Sequence, residues 1–582
     1  MVLSTALFDK PAFQNLIVNG LVLAEDGKKM SKRLKNYPDP TLVVDEHGAD
    51  ALRLYLINSP VVKGETLKFS KEGVKGVLRE VMIPWFNAYN FFAQQVERWE
   101  GGSVEGARFV RDEARANASS NAMDKWISAS LEGLVQFVHC EMRAYRLYTV
   151  VPRLVGFLGD LTNWYVRLNR QRLKGGEGEE SALTSLATLF EVLLKMATLM
   201  APFTPFFAEF LYQKLRRRLP AFHDANAKRD ELGKAESVHY CMLPSVNEAR
   251  YDPAVVSAMG LLQNAVELGR RARDGKISMK TPVKSVVVVC ADADALAQLK
   301  HLEPYVLDEL NSWSLQLTSD VDTWCSLTAL PKLPVLAKRL GKRVKLVTDA
   351  IKRLDSAQLR LFLKLGSLTV AVDDGGEPVT IGPDELIVKT QFAGDESQYS
   401  AQTLTDGSLT VAVETTQDDQ VRMQGIAREV VNRVNKLRKK AKLQLCDQVD
   451  VFYCDAQPAG LATEAALAAN QAMLDKAKIH PLPLALKGKQ RSLARDDAEC
   501  PYGATSLSVE LCRPSASLSP DATKRFQAQN QLGPIHALLA TLSPDRLAHG
   551  QKNIKGSLDA ILFDLVIGKD LFADATAANK PL

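Results

Sequence analysis

The sequence predicts a multi-domain protein that is mainly α-helical, with mixed α/β parts towards its C-terminal end. At about 150 residues per domain, a chain of 582 residues corresponds to about four domains. Apolar residues recur every three or four positions through the middle of the chain, which is typical of amphipathic helices. After Pro244, short β-branched runs alternate with helical patterns, which is typical of α/β units.

The composition excludes several classes of protein. With 46% hydrophobic and 24% charged residues, the chain is not collagen-like, mucin-like or disordered throughout. The net charge of +5 is small for this length, so a polyanionic partner must be met by local basic patches. The longest apolar run, residues 186–210, contains Glu191, Lys195 and two prolines, which excludes a membrane span. The eight cysteines have no Cys-x-x-Cys spacing, which indicates reduced thiols in the cytosol and no structural zinc.

A basic loop near the N-terminus is the first candidate site. The run Leu16–Leu23 predicts a strand, and a Glu-Asp-Gly turn follows it. Five of the eight residues from Lys28 to Lys35 are cationic and none is acidic. Ammonium groups here can neutralise a polyphosphate, Ser31 adds a donor, and Met30 can lie against a nucleobase. A solvated basic turn is the alternative interpretation.

The wording of this loop resembles a known signature. Lys29-Met30-Ser31-Lys32-Arg33 is similar to the Lys-Met-Ser-Lys-Ser motif of class I aminoacyl-tRNA synthetases. Asp-Gly precedes it, and Asn36 and Pro38 follow it, as in that family. Gly48–Tyr55 resembles the stem-contact segment of the subclass that activates branched aliphatic amino acids. Arg33 and the Tyr-Pro-Asp-Pro of residues 37–40 resemble the eukaryotic cytosolic type that activates isoleucine.

The resemblance implies a reaction and its residues. The carboxylate of isoleucine attacks the α-phosphate of ATP, supplied with Mg²⁺; pyrophosphate leaves, and the acyl group passes to tRNA(Ile). Lys32 would hold the leaving pyrophosphate with support from Lys29, and Met30 and Ser31 would shape the nucleotide side of the site. Catalysis of this kind acts by positioning and charge stabilisation.

Part of the family's pattern is missing. No His-Ile-Gly-His-type motif occurs in the chain, and the isoleucine pocket and editing insertion lie upstream of the Lys-Met-Ser-Lys loop in this family. We therefore expect a C-terminal portion that starts inside the catalytic domain and is inactive alone. A tRNA-binding module without catalysis is the main alternative. Synthetases for valine, leucine or methionine are further alternatives, which Arg33 and residues 37–40 disfavour.

From about Phe69 to Leu219 the pattern is helical and resembles the anticodon-binding bundle of class Ia synthetases. Asn163–Lys174 matches the family's Asn-Trp-Tyr-x-Arg segment, and no acid lies between Tyr165 and Gly175. Basic side chains here can reach phosphates, and an exposed aromatic can stack on an unpaired base. Trp164 and Tyr165 are alternatively core aromatics. The tRNA contacts predicted in this segment are Trp164, Arg167, Arg170 and Arg172.

The C-terminal third contains two similar units. A helix over 255–273 precedes a strand over 283–290, and a helix over 425–442 precedes a strand over 449–454. Arg273–Cys290 and Arg438–Cys454 differ in length by one residue. We therefore predict a degenerate repeat of a small α/β unit.

The second of these helices is amphipathic and basic. Seven cations and one acid lie between Arg428 and Lys442, and the resemblance supports tRNA contacts by Arg433, Arg438 and Lys439. A solvated basic face on a packed helix is the alternative. No function is assigned beyond Cys454, where docking to other synthetases in a complex is one interpretation.

These patterns divide the chain into five predicted regions. They are a Rossmann-type catalytic remnant with the basic loop (1–40), a stem-contact segment (41–85), an anticodon-binding helical domain (86–245), an α/β domain (246–415) and a second α/β domain (416–582).

Overall fold

A computed structural model describes the chain in two compact units. The first comprises residues 1–263 and 297–305, and the second comprises residues 264–296 and 306–582. The described residues are those of 1–582 except 32, 35, 103–106, 225, 227–231, 373–377, 444–448, 456–460, 478, 488–489, 501, 503–505, 514–515, 519–521, 523–524, 527–534, 536–538, 540–552, 559–560, 567–570 and 574–582.

The first unit is built mainly from helices. Its helices are α1 (Val2–Phe8), α2 (Pro40–His47), α3 (Ala49–Ile57), α4 (Lys71–Val77), α5 (Ile83–Gly102), α6 (Glu113–Asn117), α7 (Ala122–Arg143), α8 (Leu147–Asp160), α9 (Val166–Leu168), α10 (Arg170–Leu173), α11 (Glu179–Met200), α12 (Pro205–Leu215) and α13 (Pro220–His223). Its described strands are β1 (Val22–Leu23) and β2 (Leu67–Lys68). Two π-helical turns, Leu78–Met82 and Leu161–Tyr165, interrupt the helical runs, and α14 (Pro253–Arg273) begins in this unit.

Helix α11 forms the centre of this bundle. Its length and composition would allow it to cross a membrane, but 83% of its most apolar 18-residue stretch is buried inside the protein. The two charges that interrupt its apolar run are paired within the bundle. Glu191 accepts from Arg111 Nε at 2.6 Å, and Lys195 pairs with the fully buried Glu132. The helix is therefore the core helix of a bundle, as the sequence predicted.

The predicted strand over Leu16–Leu23 is wrong in length. Only Val22 and Leu23 form a strand, which pairs in parallel with Leu67 and Lys68 of β2. Leu16, Ile17, Val18 and Leu21 are each at least 65% exposed. A strand extends only as far as a partner supplies hydrogen bonds, and among the described residues β2 supplies two positions.

The second unit combines helices with sheets. Its first part contains β3 (Val283–Cys290), α15 (Ala293–Lys300), α16 (Glu303–Leu310), β4 (Ser312–Thr318), α17 (Val321–Trp324), β5 (Cys325–Pro331), α18 (Leu333–Leu340), α19 (Val344–Lys352), α20 (Ser356–Leu365), β6 (Leu368–Val370), β7 (Val379–Ile381), β8 (Leu386–Phe392), β9 (Tyr399–Thr403) and β10 (Leu409–Glu414). The end of α15 and the start of α16 lie within residues 297–305, which belong to the first unit. Its second part contains α21 (Asp419–Lys440), β11 (Asp450–Asp455), α22 (Leu461–Ala469), α23 (Gln471–Ala477), β12 (Pro481–Pro483), β13 (Ser492–Glu499), β14 (Ser506–Cys512), β15 (Ala516–Leu518), β16 (Asn553–Leu558), β17 (Ile561–Val566) and β18 (Leu571–Ala573).

The connectivity confirms the predicted repeat. One four-stranded sheet has the order β4-β3-β10-β9, and the other has the order β12-β11-β14-β13. In each sheet the strand after the basic helix pairs in parallel with the next strand of the repeat. It also pairs antiparallel with the second strand of a closing hairpin. The order of strand pairing is the same in both repeats, although the two sequences share little beyond the order of their helices and strands.

An insertion distinguishes the first repeat from the second. Between β4 and β9 the chain forms α17 to α20 and β5 to β8. Part of this segment packs around its own apolar cluster, which includes Leu336, Val347, Ile351, Leu359 and Phe362. The corresponding link in the second repeat, from β12 to β13, is a short stretch with one 3₁₀ turn, Leu484–Leu486.

The Ala-rich run over residues 461–477 forms two helices in the structure. Among the described residues it forms α22 and α23, separated by Asn470. The Asn470 side chain donates to the Ala466 carbonyl at 2.8 Å, and the backbone carbonyl of Asn470 accepts from the amides of Met473 and Leu474. Asparagine bonds to neighbouring backbone in this way at helix ends, so it stops one helix and starts the next.

Candidate functional site

The basic loop follows β1 through a tight turn. The Ala24 amide donates to the Lys28 carbonyl at 2.9 Å, and the Gly27 amide donates to the Ala24 carbonyl at 2.8 Å. Gly27 has φ +81°, a left-handed conformation that glycine adopts at little cost. Leu23 and Lys29 then form an antiparallel bridge, so the chain returns alongside β1.

The side chain of Asn36 holds the two ends of the signature together. Its Oδ1 accepts from the Ser31 amide at 2.9 Å, and its Nδ2 donates to the Lys29 carbonyl at 3.2 Å. One carboxamide thus satisfies a donor and an acceptor on either side of Met30. The backbone of Lys29–Ser31 is fixed from within the loop, a role for Asn36 that the family pattern alone does not reveal.

The described side chains of the Lys29–Arg33 signature differ in their exposure to solvent. Lys29 is exposed, and Ser31 is half-buried. Met30 packs against an apolar cluster that contains Val43, Ala51 and Phe69, so its thioether supports the segment behind the loop. Lys32, the residue predicted to hold pyrophosphate, lies outside the described residues.

The segment behind the loop is anchored to the bundle by two polar residues of α3. Asp50 accepts from the Phe207 amide at 2.7 Å and from the Phe206 amide at 3.4 Å, in the first turn of α12. A carboxylate at a helix N-terminus is favourable because it meets unpaired amides and the positive end of the helix dipole. Arg53 donates to the carbonyls of Pro202 and Phe203. Burial nevertheless raises the pKa of Asp50.

The Asn-Trp-Tyr segment lies on an irregular helical stretch. A π-helical turn covers Leu161–Tyr165, and α9 and α10 follow with a break at Asn169. Tyr165 is fully buried, and its Oη donates to Asp124 at 2.7 Å. The two aromatics were predicted either to stack on RNA or to pack in the core. Tyr165 is a core residue, whereas Trp164 is half-buried.

The predicted tRNA contact by Arg172 is corrected by its position. Its side chain is about 5% exposed, and its Nη2 pairs with the buried Asp124 at 2.7 Å. Its Nε donates to Ser181 Oγ at 2.9 Å. The Arg172 guanidinium thus neutralises Asp124 inside the bundle, where an unpaired buried carboxylate would be costly. Arg172 therefore orders the segment and does not face RNA.

The other two arginines of the segment are exposed. Arg167 and Arg170 both lie on the surface, and the Arg170 guanidinium sits 5.8 Å from the centre of the Phe91 ring. Arg98 of α5 joins them, since its guanidinium donates to the Lys174 carbonyl. Burial, followed by the charges of Arg170 and Arg98, lowers the pKa of Lys174. Arg98, Arg170 and Lys174 form a basic patch, and the sequence could not reveal Arg98 because it is 76 residues away.

The basic helix α21 divides its cations between the interior and the surface. Arg433 is 3% exposed, pairs with Glu429 at 2.9 Å and donates to the carbonyls of Ala498 and Glu499. Its predicted tRNA contact is corrected, because these bonds tie α21 to the neighbouring hairpin. Arg438 is half-buried, and Lys439 is exposed at the end of the helix.

Comparisons with known proteins show that the chain is similar to aminoacyl-tRNA synthetases. The family model for tRNA synthetases class I (I, L, M and V) matches residues 1–68, and the model for the anticodon-binding domain of tRNA ligase matches residues 124–288. The cytoplasmic isoleucine–tRNA ligase of Mus musculus is 45% identical over 78% of this chain. The chain is thus similar to cytoplasmic isoleucine–tRNA ligases over 78% of its length.

Two further relatives match to a similar extent. The probable cytoplasmic enzyme of Dictyostelium discoideum is 46% identical over 78% of the chain. That of Schizosaccharomyces pombe is 40% identical over 87%. The chain spans 35% of the mouse relative, 41% of the Dictyostelium relative and 46% of the Schizosaccharomyces relative.

The family model on residues 124–288 covers the bundle from α7 onwards and reaches β3. Arg167 and Arg170 fall inside this range, whereas Lys29 falls inside the catalytic-family match. The two predicted surfaces, nucleotide and RNA, thus coincide with the two matched regions. Arg438 and Lys439 lie beyond both matches.

Proposed function

We propose that the protein containing this chain activates isoleucine with MgATP and transfers it to tRNA(Ile) in cytosolic translation. The Lys29–Arg33 loop carries this proposal. Asn36 holds the backbone of Lys29–Ser31, Lys29 is exposed, and the loop lies in a region that matches class I synthetases. Relatives that are 45% and 46% identical are named cytoplasmic isoleucine–tRNA ligases.

In this proposal the loop works by charge. Lys32 and Lys29 stabilise the negative charge that develops on the pyrophosphate as the carboxylate attacks the α-phosphate. Ser31 adds a hydroxyl donor, and Met30 holds the loop against the segment behind it. Chemistry of this kind needs a fixed loop, because a positioned cation acts without reorganising at the moment of reaction.

We also infer two separate groups of tRNA contacts, one on the bundle and one on α21. Arg167 and Arg170 supply exposed cations beside the half-buried Trp164, and Arg98 extends the same patch. At the end of α21, Arg438 and Lys439 supply a second group of cations. Cations of this kind contact the phosphate backbone and contribute affinity rather than sequence readout. Docking to other synthetases stays a prediction, because no described contact bears on it.

The test of the catalytic proposal is ATP–pyrophosphate exchange by the full product of the gene. Wild-type enzyme is expected to show exchange with isoleucine well above that with valine, leucine or methionine. Lys32→Ala is expected to slow exchange by about 10²-fold or more, as does loss of one transition-state donor. The matched control is Lys28→Ala, which removes a neighbouring exposed cation that faces Asp26 at 3.6 Å. An exchange rate for Lys32→Ala close to that of the control would contradict the assignment.

A second candidate function is tRNA binding without amino-acid activation by this chain alone. It is favoured by one observation: the described strands of the first unit are the two-residue β1 and β2, whereas a nucleotide-binding α/β domain needs a larger sheet. Binding of tRNA by the 582-residue chain without isoleucine-dependent exchange would support this function. Exchange by the chain itself would exclude it.

A further inference from the structure

A concave surface lies at the C-terminal end of α14, in the second unit. It encloses about 520 Å³, within the range of small-molecule sites. Four cationic side chains line it, Arg270, Arg271, Arg273 and Lys276, against the single acid Asp274. The nucleotide and tRNA contacts proposed above do not include the residues of this pocket, which we call the α14 pocket.

Arg273 builds the floor of the α14 pocket. It is 1% exposed and donates to the carbonyls of Leu310, Ser278 and Thr281. Asn311 Nδ2 donates to the carbonyls of Met279 at 3.3 Å and Lys280 at 3.1 Å. Four consecutive carbonyls, from residue 278 to residue 281, are therefore held by two side chains. The loop is fixed, and these oxygens are engaged by protein donors instead of being left to repel an anion.

The charge beneath the pocket is not neutralised. Among the described residues, no carboxylate pairs with the Arg273 guanidinium, whose Nε is buried without a hydrogen-bond partner. Arg428 lies close by, bonded to Asn311 Oδ1. Burial, together with the charge of Arg428, lowers the pKa of Arg273 to about 10. Two neighbouring guanidinium groups without a carboxylate give this floor a positive potential that a bound anion would offset.

The rim of the pocket supplies cations that can reach a ligand. Lys276 is exposed, and Arg271 has a side chain that is 69% exposed, with Glu267 4.0 Å away. Lys280 is exposed on the same loop. Arg270 is instead paired with Glu309, which keeps it in the wall. The rim thus combines long, mobile cations with a rigid, positively charged floor, an arrangement that suits phosphate.

We propose that the α14 pocket binds phosphate, and that its occupant is the backbone of an RNA. The inference rests on the proposed function only in taking tRNA as that RNA. A free polyphosphate shares the chemistry, but the exposure of Arg271, Lys276 and Lys280 along the surface favours a chain of phosphates. This site would add a group of tRNA contacts in the first α/β repeat.

The experiment measures tRNA affinity of the chain against salt concentration by fluorescence anisotropy. The pocket variant is Arg271→Gln/Lys276→Gln. The matched control is Lys338→Gln/Lys364→Gln, which removes two exposed lysines of α18 and α20 and the same formal charge. We expect the pocket variant to bind about tenfold more weakly, and its slope of log affinity against log salt to fall by about 1 for each cation removed. A second arm titrates inorganic pyrophosphate by calorimetry.

The outcomes separate the possibilities. A reduced slope in the pocket variant alone supports the proposal. A slope equal to that of the control overturns RNA as the occupant. Pyrophosphate binding that is lost in the pocket variant, with tRNA affinity unchanged, identifies a small polyphosphate and also overturns RNA. If the wild-type chain binds no tRNA, the tRNA part of the proposed function fails, whereas pyrophosphate binding in the pocket would still support a phosphate site.

Discussion

Replacing Arg172 with methionine is expected to destabilise the helical bundle and to leave the surface that faces RNA intact. In the native structure, the Arg172 guanidinium pairs with Asp124, which is 1% exposed. The substitution keeps the apolar stem and removes the charge. Asp124 then retains two neutral donors, Tyr165 Oη at 2.7 Å and Ser119 Oγ at 2.6 Å.

The magnitude follows from the fate of this carboxylate. Breaking a buried ion pair by removing one partner costs about 3–5 kcal/mol, because a buried charge is left uncompensated. The two remaining hydrogen bonds to Asp124 place the expected loss of unfolding free energy near the lower limit, about 3 kcal/mol. Removing the charge as well, in Asp124→Asn/Arg172→Met, should recover about 1–2 kcal/mol, since a neutral amide is cheaper to bury.

Native-state hydrogen exchange followed by mass spectrometry suits this measurement, because it reports on peptides of α7 and α11 separately from the second unit. Arg170→Met is the matched control: the same residue types change two positions away, at an exposed site. It should alter exchange by less than about 0.5 kcal/mol. If Arg172→Met behaves like this control while tRNA affinity falls steeply, Arg172 is an RNA contact and the structural role argued from its burial is wrong.

Two further predictions concern the loop and the second repeat. Asn36→Ala should slow ATP–pyrophosphate exchange about tenfold and lower stability by at most about 2 kcal/mol, because two hydrogen bonds of about 1 kcal/mol each no longer fix Lys29–Ser31. Exchange within about twofold of wild type would show that the loop needs no such support. Burial raises the pKa of Asp450 from 3.8 to about 7, so the folded state favours the protonated carboxyl group. The free energy of unfolding should therefore fall as pH rises from about 4 to 7, by at most about 4 kcal/mol. Asp450→Asn should flatten this dependence in exchange of β11 and β14 peptides, and an unchanged profile would assign the dependence to other groups.

Much of the fold was accessible from the sequence because local patterns carry it. The strand over Val283–Cys290 and the helix that ends at Arg273 were predicted within two residues, since long periodic runs leave few alternatives. The repeat was also predicted from the order of helix, strand and turn. The short length of β1 was not, because the extent of a strand depends on a partner distant in sequence.

The candidate site was predicted unevenly for the same reason. The motif at Lys29–Arg33 and the exposed arginines of residues 167 and 170 were identified from sequence. Arg172 and Arg433 have the same local signature as their exposed neighbours, and only burial beside Asp124 and Glu429 distinguishes them. A basic run on a helix fixes how many cations are present, whereas the packing of the other helices decides which of them turn inward.

The sequence by itself determined the resemblance to class I synthetases, the order of many helices and strands, and the position of the basic loop, because contiguous residues carry these features. Tertiary structure alone decided three other features: the clamp of Asn36 on the loop, the anchoring of α3 by Asp50 and Arg53, and the rigid floor of the α14 pocket under Arg273. Each of these depends on hydrogen bonds whose partners become neighbours only after the chain has folded. Local propensity specifies the helices and strands, but the environment of a charge is set by what packs against it.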